Sequence, residues 1–109
     1  MKLEKALRSI TALIVRCCDP EAVLLFGSYA KELDNPDSDL DLLVIGDFRG
    51  SPYLRGHEVR ELLRRYPIRV DLHIVTPEEV ADESREPYGF LNSVLASSRI
   101  MYQKAGKWH

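Results

Sequence analysis

Two aspartates, Asp39 and Asp41, stand one residue apart at the beginning of an apolar run that extends to Ile45. Alternate residues of a β-strand point to the same face, so both carboxylates would converge on one point. Like charges side by side repel each other and aspartate is a poor strand former, so folding alone gives no reason for this pair. A divalent cation that bridges both carboxylates would explain the pair. We therefore predict that Asp39 and Asp41 bind metal.

A third carboxylate, Asp71, lies in the stretch 68–75, where apolar and polar residues alternate as in a strand with one core face. If this strand lies beside the first, Asp71 comes close to the aspartate pair. Such oxygen ligands suit Mg²⁺, or Mn²⁺ in its place. Two ions held there can clamp the attacking and leaving oxygens of a phosphoryl displacement, which predicts nucleotidyl transfer. His73 shares the face of Asp71, but a lone histidine there is usually only a surface residue.

Residues 23–26 form a short apolar run that predicts a strand, and Gly27 and Ser28 follow it directly. Because glycine has no side chain, backbone N–H groups at this point can approach a phosphate closely. Ser28 begins a predicted short helix, and adds a hydroxyl and the positive end of the helix dipole. Each residue alone is more typical of an ordinary tight turn or helix cap. Together with the aspartates they predict a triphosphate site.

This order of motifs, Gly27-Ser28, ten further residues, Asp39-x-Asp41 and a later Asp71, resembles the DNA polymerase β-type nucleotidyltransferase superfamily. The small size resembles its minimal nucleotidyltransferases, the MntA-like partners of HEPN-domain proteins. The resemblance implies that the glycine and serine hold the triphosphate of ATP or another nucleoside triphosphate. It also implies that Asp39 and Asp41 bind metal, and that Asp71 helps to activate the acceptor hydroxyl.

One departure from the family pattern follows the glycine–serine pair. Family members often continue with Ala-Arg-Gly, whereas this chain has Ala30-Lys31-Glu32. The resemblance implies that Lys31 supplies the positive charge at the nucleotide, although an ammonium lacks the bidentate fork of arginine.

The resemblance implies transfer of AMP from ATP to a hydroxyl on a protein, namely a tyrosine of a HEPN-domain toxin. This chain would then be the antitoxin, in a hetero-oligomer with its partner. Two alternatives stay open. One is a non-catalytic antitoxin or binding module of the same fold, and the other is a small-molecule adenylyltransferase. The second alternative is weakened because 109 residues leave no second domain to enclose a small acceptor.

The elements that must position these residues are predicted from periodicity, caps and breakers. They are a helix that ends at Asp19-Pro20, strand 23–26, helix 28–33, strand 40–45, a helix from Ser51, strand 68–75, a helix with a capping box from Thr76 to Glu79, and a helix over 87–98. Residues 100–103 fit a short strand or an extended tail. This order predicts one domain over 1–109, an α/β (α+β) fold with a small mixed sheet of three to four strands and helices mainly on one face. The resemblance implies that it is a nucleotidyltransferase domain.

Charge and composition limit the partners. A net charge of −2 argues against strong non-specific nucleic-acid binding. Acidic residues gather in 32–47 and arginines in 49–69, which favours a solvated helix face or a contact with a partner or nucleotide. No run reaches the ~20 apolar residues of a membrane span, so we expect no membrane association. The adjacent Cys17 and Cys18 suit reduced thiols, so we expect a cytoplasmic protein.

Overall fold

The computed structural model describes residues 3–26, 40–48, 56–83, 94 and 96–104 of the chain. Its elements, in chain order, are α1 (Leu3–Cys18), β1 (Ala22–Phe26), β2 (Leu40–Ile45), α2 (His57–Leu63), β3 (Val70–Val75), α3 (Pro77–Glu83) and β4 (Arg99–Gln103). Residues 94, 96 and 97 are also helical, within the predicted last helix. The short helix predicted for 28–33 lies outside the described residues.

Helix α1 follows from its apolar spacing, which places Leu7, Ile10 and Ile14 on one fully buried stripe. The helix stops where the sequence predicts. Asp19 adopts a left-handed φ of 46°, and its N–H donates to the carbonyl of Val15 at 3.0 Å. Pro20 has no N–H to continue the helical ladder, so the chain turns into β1.

The four strands form one mixed sheet in the order β3-β2-β1-β4. Strand β1 is antiparallel to β2 and to β4, whereas β2 and β3 run parallel. The prediction of a small mixed sheet is therefore confirmed, and residues 99–103 form a strand rather than a tail. Among the described strands, β3 and β4 are the two edges.

Both faces of the sheet carry apolar side chains, because β1 and β2 are apolar at nearly every position. Helices α1 and α2 cover one face, as the prediction of helices mainly on one face requires. Val80 of α3 and Val94 cover part of the other face. They pack at the end where Ala22 pairs with Ile45, and form a cluster with Leu24 and Leu43. Among the described residues, cover on the second face is therefore concentrated at this end.

Two connections explain how the chain enters α2 and α3. Gly56 precedes α2 with a φ of 69°, and a Cβ there would collide with the side chain of Ile74. The predicted capping box is confirmed, since the Thr76 N–H donates to Glu79 Oε1 at 3.0 Å and the Glu79 N–H donates to Thr76 Oγ1 at 3.2 Å. The helix predicted from Ser51 begins at His57 instead, because Gly56 takes a left-handed φ that a continuous helix does not allow; residues 51–55 lie outside the described residues.

Two further features concern the sequence predictions. Cys17 and Cys18 are free thiols, the first exposed and the second half-buried. Burial, then the neighbouring Cys17 and Glu58, raise the pKa of the Cys18 thiol. Within the described part of the chain, no helix has the length and apolar character needed to cross a bilayer.

Candidate functional site

The parallel pairing of β2 with β3 brings two of the predicted aspartates together. Asp41 and Asp71 are direct partners in the register of these strands, and neighbouring strands lie about 4.8 Å apart. Leu40 and Leu42 point into the core beneath α1 and α2, so Asp41 points to the opposite face. Leu72 fixes the orientation of Asp71 in the same way. Both aspartates are half-buried, so they share one face at one end of the sheet.

This arrangement is electrostatically unfavourable in a metal-free protein. Carboxylates directly opposite each other on neighbouring strands destabilise a sheet. A cation between them would reverse the sign of this contribution. The placement therefore suits a function better than it suits folding.

Strand β1 adds the third side of the site. Phe26 is the register partner of Asp41, so three neighbouring strands contribute one residue each along this line. Strand β1 ends at Phe26 and β2 begins at Leu40, and both residues flank Asp41. The segment between them contains the other predicted site residues: Gly27, Ser28, Lys31 and Asp39. These four lie outside the described residues, so their roles stay predictions.

The structure gives a contact beside the site to His73, which the sequence analysis placed on the face of Asp71 but left out of the site. His73 is exposed on the face of Asp71, and its ring packs on Phe26 with centroids 5.3 Å apart and an interplanar angle of 59°. Its spacing of two residues from Asp71 was visible in the sequence. The partner ring was not, because the contact depends on β3 and β1 lying on either side of β2. His73 therefore borders the strand end that leads into the Gly27-Ser28 segment.

The donor set of the site fits Mg²⁺. Asp41 and Asp71 offer hard oxygen ligands, and Mg²⁺ is held by one or two protein carboxylates while water and phosphate oxygens complete its shell. Across the described ranges, no group of three His, Cys, Asp or Glu side chains forms a metal site. The predicted third carboxylate, Asp39, lies outside those ranges. The metal therefore remains an expectation that the two described carboxylates support.

Comparison with known proteins places this geometry in a family. The sequence matches the family described as nucleotidyltransferase domain over residues 1–99. It is 28% identical, over 116 aligned positions, to a candidate protein adenylyltransferase of Methanocaldococcus jannaschii, and the alignment covers 96% of this chain and 78% of that protein.

Among solved structures, the fold is similar to that in a crystal structure of a toxin–antitoxin MntA-HpeT mutant. The TM-score is 0.59 at 15% sequence identity, and the match covers 89% of this chain and 72% of the other. At this identity the likeness concerns the fold alone. The family match extends over nearly the whole chain and includes β1, β2 and β3, which carry the site. The chain therefore belongs to the nucleotidyltransferase domain family, and the protein is a nucleotidyltransferase.

Proposed function

We propose that the protein is a Mg²⁺-dependent adenylyltransferase that transfers AMP from ATP to a hydroxyl on a protein partner. The observation that carries this proposal is the in-register pair of Asp41 and Asp71 beside the end of β1. Two half-buried carboxylates on neighbouring strands have little use in folding, but they match the needs of metal-assisted phosphoryl transfer. The similar protein of Methanocaldococcus jannaschii is described as a candidate protein adenylyltransferase, which supports a protein acceptor.

In this proposal, each residue has a separate task. The backbone at Gly27 and Ser28, together with Lys31, holds the triphosphate, while Asp39 and Asp41 hold the metal. Asp71 binds at the acceptor side and takes the proton of the attacking hydroxyl. A bond forms between that oxygen and the α-phosphorus, and the bond from the α-phosphorus to pyrophosphate breaks. Bound Mg²⁺ supplies charge neutralisation for the phosphoryl oxygens during this displacement.

The acceptor side of the proposal follows from the size and openness of the site. Among the described residues, those that cover the sheet face of the carboxylate pair, Val80 and Val94, pack at the far end. An acceptor with its own surface can complete such a site and position its hydroxyl for in-line attack. We therefore propose a tyrosine of a HEPN-type toxin as the acceptor, in a hetero-oligomer with this chain as the antitoxin. The solved structure with the similar fold is that of a toxin–antitoxin pair, which supports this partner class.

The compartment is proposed on separate grounds. Cys17 is an exposed free thiol next to Cys18, and such thiols persist where the environment is reducing. ATP is also supplied there, so we propose a cytoplasmic protein.

The proposal is tested by where a labelled nucleotide goes. The purified protein, with Mg²⁺ and ATP labelled at the α-phosphate, is incubated with candidate HEPN-type proteins, free sugars and aminoglycosides in parallel. We expect label on a protein tyrosine and the release of pyrophosphate. Efficient labelling of a small molecule, with none on protein, would replace this proposal with a small-molecule adenylyltransferase. A partner that is neutralised without any label would identify a contact antitoxin instead.

A further inference from the structure

A groove lies between the end of α2 and the beginning of β3, with a volume of about 410 Å³. We call it the arginine groove. The lining residues that matter here are Arg60, Arg64, Tyr66, Ile68, Arg69 and Val70. The groove is formed by α2 and the α2–β3 turn, so it belongs to the face of the sheet opposite the carboxylate pair.

The arginine groove is positively charged in an otherwise acidic protein. Arg60, Arg64 and Arg69 line it, and none of its described lining residues carries a carboxylate. Arg64 lies 3.2 Å from Glu61, but this pair is exposed and Glu61 is not part of the lining. The whole chain has a net charge of −2. Arg60 and Arg69 also interact with other residues. The groove is nevertheless a local concentration of positive charge, which favours acidic ligands.

The groove also runs along a sheet edge. Among the described strands, β3 pairs only with β2. The Leu40 N–H donates to the Arg69 carbonyl at 2.9 Å, and the Gly46 N–H donates to the Val75 carbonyl at 3.0 Å. The odd-numbered residues of β3 thus direct their peptide groups toward β2. By the alternation of a strand, Val70, Leu72 and Ile74 direct theirs outward. Ile74 already has a partner, so a further strand can pair with Val70 and Leu72.

Asp71 lies between Val70 and Leu72, whose peptide groups face away from β2. On neighbouring strands, directly paired residues point to the same face of the sheet. A residue of an added strand that pairs opposite Asp71 would therefore present its side chain beside the Asp71 carboxylate. The residues before and after it would point to the other face, where Arg60 and Arg64 lie. One docked strand can thus reach the carboxylate pair and the arginine groove at the same time.

We propose that the acceptor protein docks as an extended segment on the edge of β3, with acidic residues on both sides of the residue that carries the hydroxyl. The flanking carboxylates enter the arginine groove, and the hydroxyl side chain lies next to Asp71. This inference rests on the proposed function for the protein nature of the acceptor, and it specifies how that acceptor is chosen. Strand addition at an exposed edge supplies backbone hydrogen bonds, while the side chains on either face supply selectivity.

The test is NMR titration of the isotope-labelled full chain with short synthetic peptides. The first peptide has a central tyrosine with a glutamate on each side, among threonine and valine residues. A matched control has the same composition, but its glutamates stand two residues from the tyrosine and so fall on the Asp71 face. One further control carries lysine in place of each glutamate. Another keeps the tyrosine and both glutamates, and carries proline at the two positions on the outer side of the glutamates.

We expect the first peptide to shift and protect the amides of Val70 and Leu72, and to bind at least about tenfold more tightly than each control. The Arg64→Glu variant should lose a similar factor, whereas Arg16→Glu on α1 should not. Equal binding of the lysine peptide, or shifts that centre away from β3, would overturn the proposal. Concentration-dependent shifts of these amides without any peptide would assign the edge to a second copy of the chain. A single-stranded oligonucleotide that binds the groove more tightly than the first peptide would assign it to nucleic acid.

Docking and chemistry can fail separately. The Asp71→Asn variant should bind the first peptide at least as well as the parent, because it removes a charge from the site and leaves the edge of β3 intact. Peptide binding without any transfer to a protein by the parent enzyme would contradict the proposed function and leave the docking intact. Suppose instead that AMP is transferred to a protein, but neither Arg64→Glu nor the charge of the peptide changes this transfer. That result would contradict the docking and leave the proposed function intact.

Discussion

The two ends of the central strands have opposite chemistry. At one end, Ala22 pairs with Ile45, and both are fully buried beneath Val80 and Val94. At the other end Asp41 and Asp71 stand side by side, half-buried, on the same face. On this face of the sheet, the strands therefore carry core side chains at one end and carboxylates at the other. The difference indicates that the Asp41–Asp71 end is shaped by function.

The site and the contact between α1 and β4, which we call the α1–β4 flank, also differ in how their charges are paired. Arg99 of β4 donates two hydrogen bonds to Glu4 of α1, at 2.7 and 3.2 Å, and Lys104 lies 3.0 Å from Asp19. Opposite charges thus join both ends of α1 to both ends of β4. At the site, by contrast, two like charges are registered against each other. The flank thus joins opposite charges, whereas the site brings two like charges together.

The largest expected effect is on transfer. Asp71→Asn should lower the rate of AMP transfer by about 10³-fold, because the acceptor hydroxyl loses its proton acceptor and a metal ligand. ATP binding should change little, since Asp39 and Asp41 hold the metal on the triphosphate in the proposed scheme. Single-turnover transfer and nucleotide binding are measured side by side. The exposed Asp82→Asn of α3 is the matched control. Unchanged transfer in Asp71→Asn would remove this residue from the catalytic set.

The next effect concerns the packed end. Leu43 is fully buried in the middle of β2, so Leu43→Ala should lower the free energy of unfolding by about 2–5 kcal/mol. Leu13→Ala on α1 is the matched control and should cost about 1 kcal/mol, because Leu13 is only partly buried. Both are measured by chemical denaturation. Equal losses in the two variants would mean that the two positions are buried to the same degree.

At the site we expect a substitution that stabilises the protein, by less than Leu43→Ala destabilises it. Without metal, Asp41→Asn should raise the free energy of unfolding by about 1 kcal/mol, because it removes one of two like charges on neighbouring strands. With saturating Mg²⁺ and ATP, the parent should gain stability, by about 2.7 kcal/mol at a hundredfold excess over Kd, and the variant should gain much less. Thermal unfolding with and without Mg²⁺ and ATP measures both the metal-free stabilisation and the gain on ligand binding. A variant that keeps the full response to Mg²⁺ would argue against metal binding at Asp41.

The smallest effect is on the flank, and it depends on pH. The hydrogen bonds from Arg99 lower the pKa of Glu4 below its ordinary value of 4.5. Because the folded pKa is depressed, the stabilisation is fully present above about pH 4.5 and disappears as the pH falls through the folded value. Arg99→Gln should therefore cost about 0.5 kcal/mol near neutral pH, since the pair is partly exposed, and nothing in strong acid. Chemical denaturation from neutral pH to strong acid measures this pH-dependent cost, and Arg16→Gln is the control. A loss that persists at low pH would have another origin than this pair.

Much of the local structure was predictable because its causes lie within a few residues of each other. The left-handed Asp19 before Pro20 ends α1, and Thr76 and Glu79 form the cap of α3. The alternation around Asp71 was enough to place it on the face opposite the core. By contrast, the pattern of residues 100–103 was compatible with a strand or a tail. Only the partner β1 decided between them, because pairing with a distant strand has no local signature.

The sequence by itself determined which residues could do chemistry and which way their strands face, since side-chain direction follows from a period of two. Tertiary structure alone decided that β3 lies parallel to β2 with Asp71 opposite Asp41, rather than shifted by some residues. It also decided that His73 reaches Phe26 and that the edge of β3 runs beside the arginine groove. Register and strand order result from how the packed faces of the whole chain fit together. That fit is a long-range property, which no short segment of sequence contains.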